Sequence, residues 1–312
     1  MKAVRPVDGH AAVVEVPEPS GERELLAMAA TSVCASDFLY MRVGCTKVLG
    51  HELAGTRTDG TPVVVEGVWG CMSCDQCRAG RYNLCPTHPE RALGVSIDGG
   101  MSEWFRAPAE RLVPLPDGLA LADAPIVEPA AVSWHALRLG NTGPDTTVAV
   151  VGAGALGLLA VAGARRMGAE VVDLEARHPH QRLAGERLGA GIGPTGSYDV
   201  VIEAAGSMES LARAAELVAP GGSIVVLGVH LGAVELPWMP LFNREARIIP
   251  SLGYCVDRDG RREMENAALM LADDPDIAAT LITHRFAIDD AAEAFRVAAD
   301  RAAGALRVVI EP

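Results

Sequence analysis

The chain has 312 residues, long enough for two hydrophobic cores, and its 49% hydrophobic and 21% charged residues describe a globular protein rather than a disordered or fibrous one. A net charge of −13 without a basic cluster disfavours phosphate backbones and anionic lipid, so neither nucleic acid nor a membrane surface is expected as a partner. The opening Met1-Lys2-Ala3-Val4 lacks an apolar export segment, and the apolar run from Leu158 to Ala162 is too short to span a bilayer, so a cytoplasmic location is expected.

Up to about residue 140 the chain reads as short β-rich runs broken by Gly, Pro and Asp: Ala11 to Val16, Thr61 to Val65 and Met101 to Phe105. Inside this stretch Cys71, Cys74, Cys77 and Cys85 stand at C-x2-C-x2-C-x7-C spacing. In a reducing compartment such spacing means metal ligation rather than disulfides. Four thiolates satisfy a tetrahedral zinc completely, at about 2.3 Å per bond, which makes the quartet a structural staple and places any chemistry elsewhere. Cys45 and Cys255 read as small buried side chains.

From Thr146 the texture changes. The strand run Thr147 to Val151 meets a glycine turn, then an Ala/Leu-rich helix to Met167, then a second strand from Glu170 to Glu175. Further strands are predicted at 199–203, 223–227 and 246–250, with helices from Met208 to Val218 and from Arg262 to Leu271. This alternation predicts a doubly wound parallel sheet, because parallel neighbours need crossover connections. A closing strand from Ala305 to Ile310 is expected to return to the first domain.

Gly152-Ala153-Gly154-Ala155-Leu156-Gly157 follows a predicted strand and opens a predicted helix, the context that turns G-x-G-x-x-G into a dinucleotide fingerprint. The first glycine permits the turn, the second lets backbone approach the pyrophosphate, and the third allows close helix–strand packing. Gly228 and Val229, just past the strand at 223–227, complete the expected cofactor set. Counting forward from Gly168 puts Glu175 at the position that binds ribose hydroxyls, which implies NAD. Counting back from Gly189 puts Ala176 there, followed by Arg177, whose guanidinium suits a 2′-phosphate. The cofactor is therefore NAD(P), leaning slightly to NADP.

Six motifs in order resemble the zinc-containing medium-chain dehydrogenase/reductase family of alcohol and polyol dehydrogenases: Cys34-x-Ser36-Asp37, Gly50-His51-Glu52-x-x-Gly55, the cysteine quartet, Gly99-Gly100-Met101-Ser102-Glu103-Trp104, Ile126-Val127-Glu128-Pro129, and Gly152 to Gly157. The resemblance implies an α/β chain with a GroES-like β-rich catalytic domain at 1–144 and 275–312, its zinc lobe at 71–85, and an inserted Rossmann domain at 145–274, with the active cleft where they meet. It implies two zinc ions per chain. The catalytic one would be held by Cys34, His51 and Glu128, the last as in sorbitol-type relatives, with Glu52 joining the shell transiently or polarising it from behind. Asp37 would orient His51, and Ser36 would pass the hydroxyl proton outward. Three protein ligands leave zinc an open position, where it acts as Lewis acid for hydride transfer to the nicotinamide. His135 and His230 read as interior packing or cofactor-side polar groups rather than ligands.

Departures from the family matter too. Many relatives have histidine at the position of Leu39, so the proton relay must end differently, through Tyr40 or through ribose hydroxyls. The short Gly189 to Asp199 connection predicts that a Rossmann helix is lost or reduced to a turn. The expected substrate is a small secondary alcohol, polyol or sugar-like molecule, and the expected assembly a homodimer or homotetramer. The competing readings are a zinc-independent enone or quinone reductase of the same superfamily and a zinc-ribbon interaction module. Cys34, His51 and Glu128 oppose the first, and the acidic charge and dinucleotide motif oppose the second.

Overall fold

A computed structural model describes all 312 residues except the side chain of Arg301. The chain divides into two compact units, one formed by Met1–Glu128 and Cys255–Pro312, the other by Pro129–Tyr254.

The first unit begins with β1 (Lys2–Val7), β2 (His10–Glu15), β3 (Glu24–Ser32), α1 (Ala35–Arg42), β4 (Leu53–Arg57), β5 (Pro62–Val65), α2 (Asp75–Arg78), β6 (Trp104–Ala107) and β7 (Leu112–Pro114). Helix α3 (Val127–Leu139) then carries the chain into the second unit, which holds β8 (Thr147–Val151), α4 (Ala155–Arg166), β9 (Val171–Glu175), α5 (Pro179–Arg187), β10 (Gly191–Ile192), β11 (Tyr198–Glu203), α6 (Met208–Leu217), β12 (Val218–Val226), α7 (Trp238–Asn243) and β13 (Arg247–Pro250). The first unit resumes with α8 (Glu263–Asp273), α9 (Pro275–Leu281), β14 (Ile282–Ala287), α10 (Ala291–Ala299) and β15 (Arg307–Glu311).

In the first unit β14, β15, β3, β4, β5 and β7 lie side by side, with β6 also pairing β3. The closing strand does return: β15 pairs antiparallel with β3, Val309 opposite Ser32 and Ile310 opposite Thr31. Alternation explains the sheet. Leu26, Met28, Leu53, Val63, Val65, Phe105, Val308 and Ile310 are all buried in one core, which Phe295 of α10 also joins. The strand expected at Met101 to Phe105 lies a little later, at Trp104–Ala107, because Met101 spends its backbone on Val4 and Leu49 outside the strand.

The second unit carries a parallel sheet in the order β10-β9-β8-β11-β12-β13, the doubly wound order whose direction reverses between β8 and β11. Val148, Ala149 and Val150 are fully buried, as a strand covered on both faces requires. Only the two-residue β10 and bends occupy residues 189–197, so the shortened connection holds no helix.

The units divide at 128/129 and 254/255, not at 144/145 and 274/275. Two packing facts account for the difference. Beyond Glu128, helix α3 works for the second unit: Ser133 Oγ donates to the Leu156 carbonyl at 2.9 Å, and a Cβ on Gly163 of α4 would meet Leu137 at 2.7 Å. Around α8 the chain works for the first unit, where Arg262 donates to the carbonyls of Glu110 and Leu112 at 3.2 and 3.0 Å.

Candidate active site

The cysteine quartet folds on local turns. Cys74 caps the short α2, Cys77 lies within it, and the 3-10 turn Tyr82–Leu84 delivers Cys85. The four sulfurs all lie within 4.8 Å of one another. A tetrahedral zinc with bonds of about 2.3 Å needs S···S edges of about 3.8 Å, so the donor set fits. Backbone amides point at the sulfurs, Cys71 N at Cys85 Sγ (3.2 Å) and Cys74 N at Cys71 Sγ (3.3 Å), which favours thiolates. The Ser73 hydroxyl and nearby amides hold the Cys71 thiol down at about 5, whereas burial and the neighbouring thiols push Cys77 up to about 12. A set this crowded cannot carry four negative charges without a cation between them.

The second cluster is assembled from two loops. Cys34 stands just past β3 as the cap of α1, and its amide donates to Asp37 Oδ2 at 2.9 Å. Ser36, in the first turn of α1, places Oγ 3.1 Å from Cys34 Sγ and 3.2 Å from His51 Nε2. On the far side of the ring, His51 Nδ1 lies 3.5 Å from Asp37 Oδ1, and neither atom has another partner. Asp37 thus turns the imidazole so that Nε2 faces the sulfur, the arrangement of a second-layer carboxylate behind a ligating histidine. Burial lifts the Asp37 carboxyl to about 6, with His51 and the Cys34 amide working against it. Burial alone would lower the His51 pKa, but Asp37, Cys34 and Glu128 outweigh it and hold it well above the ordinary value. The Cys34 thiol is pushed up by burial and by Glu52.

Cys34, His51 and Glu52 offer ligand atoms that all lie within 4.8 Å of one another. Glu128, in the first turn of α3 and 8% exposed, is not a member of that close set, although its charge acts on both His51 and Arg307. Glu52 is 1% exposed and is gripped by residues that the motifs do not name. Arg307 Nη1 donates to its two oxygens at 3.2 and 3.0 Å and to the Val33 carbonyl at 2.9 Å, and Ser32 Oγ donates to Oε2. Arg307 comes from β15, 255 residues along the chain, so no spacing rule could have found it. Leu39 offers no proton path, but the half-buried Tyr40 meets the His51 ring edge-on with centroids 6.1 Å apart, and Ser36 lies close enough to act on its phenol.

At the carboxyl end of β8 the glycine turn has the geometry its motif demands. Gly152 has φ +110°, and a Cβ there would strike Ala205 at 2.9 Å. A Cβ on Gly157 would sit 1.8 Å from the Gly152 carbonyl oxygen, whereas one on Gly154 would meet nothing within 4 Å. The middle glycine therefore borders open space in front of the first amides of α4, near Ala155 and Leu156, the cradle that a pyrophosphate fills. Glu175 ends β9 with its backbone carbonyl accepting from Gly152 N at 3.2 Å, but its carboxylate is bound by Arg213 Nε of α6 at 2.7 Å. Arg177 is exposed one residue past the buried Ala176. Gly228 and Val229 lie on the loop after β12. His230 contacts Glu203 at 3.1 Å, and His135 is buried beside Arg138, with 3.0 Å between Nδ1 and Nη2.

Comparison with known proteins matches the same regions. The family described as the alcohol dehydrogenase GroES-like domain matches residues 21–117, and that described as zinc-binding dehydrogenase matches residues 192–273. D-xylulose reductase of Scheffersomyces stipitis is 30% identical, over 90% of this chain and 89% of its own. L-galactonate-5-dehydrogenase of Escherichia coli strain K12 is 26% identical, again over 90% of this chain and 89% of its own. Among solved structures, a provisionally assigned zinc-binding dehydrogenase of Sinorhizobium meliloti 1021, bound to NADP, is 29% identical and has a TM-score of 0.86, covering 100% of this chain and 99% of that one.

Proposed function

The chain belongs to the zinc-containing medium-chain dehydrogenase/reductase family, and we propose that it is a zinc-dependent NAD(P) oxidoreductase interconverting a secondary alcohol, polyol or sugar-like substrate with its ketone or aldehyde. The observation that carries this reading is the meeting of Cys34, His51 and Glu52 within 4.8 Å, with the His51 ring turned by Asp37. Cys34, His51 and Glu128 would hold the catalytic zinc. Glu52 would work from behind, anchored on Arg307 and Ser32. When bound, the metal supplies Lewis acidity that makes a hydroxyl acidic near neutral pH or polarises a carbonyl.

The protein's own groups do the rest. Ser36 Oγ, beside Cys34 Sγ and His51 Nε2, takes the substrate hydroxyl proton as it gives up its own, and the half-buried Tyr40 beside it relays that proton by releasing its phenol proton to solvent. The buried carboxylates of Asp37 and Glu52, 0% and 1% exposed, keep their charges near the ligands and away from screening water. Glycines 152, 154 and 157 with the first amides of α4 would receive the pyrophosphate of a dinucleotide, which when bound would supply the hydride chemistry. The engagement of Glu175 by Arg213, together with the free exposure of Arg177, supports NADP over NAD. The polyol assignment rests on Glu128 and on the names of the relatives.

Metal analysis tests the central claim: two zinc per chain are expected, falling to one in Cys34→Ser with loss of turnover. A single zinc in the unmodified protein, with turnover unchanged in Cys34→Ser, would refute it. For the cofactor, Arg177→Ala should lower kcat/KM selectively with NADP. We also propose a homo-oligomer paired through β13, which ends its sheet with one edge open beside the exposed Trp238, Met239, Phe242 and Leu252. Light scattering of the purified chain reads this directly, and a monomer would exclude it.

A further inference from the structure

One buried carboxylate ties together the loops that leave β11 and β12. Glu203 ends β11 and is 0% exposed. Its Oε1 accepts from the amides of Ala205 (2.8 Å) and Gly206 (2.7 Å) and from Ser210 Oγ of α6 (2.7 Å). Its Oε2 lies 3.1 Å from His230 Nε2, on the loop after β12. Even its backbone carbonyl is used, accepting from the amides of Leu227 (2.8 Å) and Gly228 (3.0 Å). A carboxylate removed from water is tolerated only when its oxygens are met by donors, and here nearly every donor is a loop group.

The packing around it leaves no slack. A Cβ on Gly228 would fall 2.3 Å from Gly206 N and 2.7 Å from Glu203 Oε2. Gly206, at φ +67°, would put a Cβ 3.0 Å from the Val229 carbonyl oxygen. The Gly152 turn is pressed just as closely on Ala205. Three loops therefore meet backbone to backbone at the carboxyl ends of the strands on either side of the point where strand order reverses. That is the edge at which doubly wound sheets bind their ligands.

Such a sheet consists of two mononucleotide-binding halves, here β8 to β10 and β11 to β13, and the Glu203 clamp belongs wholly to the second. We propose that Glu203, with His230 as its strap on the loop after β12, is a positioning residue for the nicotinamide half of the dinucleotide. Through it the loops at Ala204–Ser207 and Gly228–Leu231 are held at the height where the nicotinamide ribose and ring lie. Glu203 itself is too deeply buried to touch the cofactor. Val229 and Leu231, on either side of His230, are 69% and 68% exposed, so the imidazole is the inward-facing anchor of an otherwise outward-facing loop. The proposal rests on the dinucleotide reading of the second unit, and its test separates the two.

Purified full-length protein is titrated with NADPH and NADH by fluorescence. It is then titrated with adenosine 2′,5′-bisphosphate and ADP-ribose, which lack the nicotinamide. In Glu203→Gln and His230→Phe the Kd for the dinucleotide should rise about ten- to a hundredfold while the two fragments bind within about twofold of wild type. His230→Gln, whose amide can donate to Glu203, should recover binding to within about threefold. Equal weakening of fragment and dinucleotide would reduce Glu203 to a general fold support and overturn the proposal. Wild-type affinity for the dinucleotide in both variants would overturn it as well. Failure of the unmodified protein to bind either kind of ligand would instead bring down the dinucleotide reading and the proposal with it. Should Glu203→Gln not fold, the His230 pair decides alone.

Discussion

Arg307→Met isolates the device that holds the Glu52 carboxylate beside the candidate metal ligands. Arg307 and Glu52 are 6% and 1% exposed, and one guanidinium nitrogen serves both carboxylate oxygens and the Val33 carbonyl. Removing one partner of a buried ion pair costs about 3–5 kcal/mol, because the remaining charge stays desolvated. Ser32 Oγ remains on Glu52, which puts the expected loss near the low end, about 3 kcal/mol. At about 2–4 °C per kcal/mol for a unit of this size, the melting of the first unit should fall by about 6–12 °C. Glu52→Leu in the same background removes the stranded charge, so the double variant should recover to within about 1–2 kcal/mol of wild type. Thermal unfolding followed by calorimetry, on protein of known zinc content, measures all four corners of the cycle. A coupling energy below about 0.5 kcal/mol would refute the view that Arg307 exists to hold Glu52.

The glycine turn separates folding from binding: Gly157→Ala drives a methyl into the Gly152 carbonyl and should destabilise the second unit by about 1–3 kcal/mol. Gly154→Ala meets nothing and keeps an ordinary φ of −76°, so it should leave the melting temperature unchanged while dinucleotide affinity drops, as paired melting and fluorescence titrations would show. Cys77→Ala should lower metal content by one zinc per chain, and unchanged zinc by elemental analysis would remove the quartet as a metal site. Tyr198, buried and donating to Asp173, has its phenol pushed up to about 12, first by burial and then by the aspartate. The unfolded phenol ionises near 10, so the unfolded chain releases its proton first and this contribution to stability is lost between about pH 10 and pH 12. Phenolate absorbance in the native protein should show a step near pH 12 that Tyr198→Phe abolishes.

What the motifs revealed is what a few consecutive residues can encode. The cysteine quartet lies within fifteen positions, so turns alone bring its sulfurs together. The glycine turn is likewise built from six residues between a strand and a helix, and the parallel sheet was legible because alternation of strand and helix leaves few ways to connect. Cys34 and His51 were found as motif fragments, but their meeting depends on β3 and the loop before β4 being folded against each other. The chain passes from one compact unit to the other at the start of α3, and the contacts of Ser133 and Leu137 with α4 that tie this helix to the second unit leave no mark in local spacing.

Residue types and short-range spacing thus determined the donors: thiols, an imidazole, carboxylates and a glycine turn, each chemically committed wherever the chain places it. Tertiary structure alone decided how those donors are held. Arg307 reaches Glu52 across 255 positions, Arg213 occupies the carboxylate of Glu175, and Glu203 joins two loops through His230. The physical reason is that a buried charge takes whatever counter-group the packing of distant segments brings within about 3 Å, and no local periodicity records that choice.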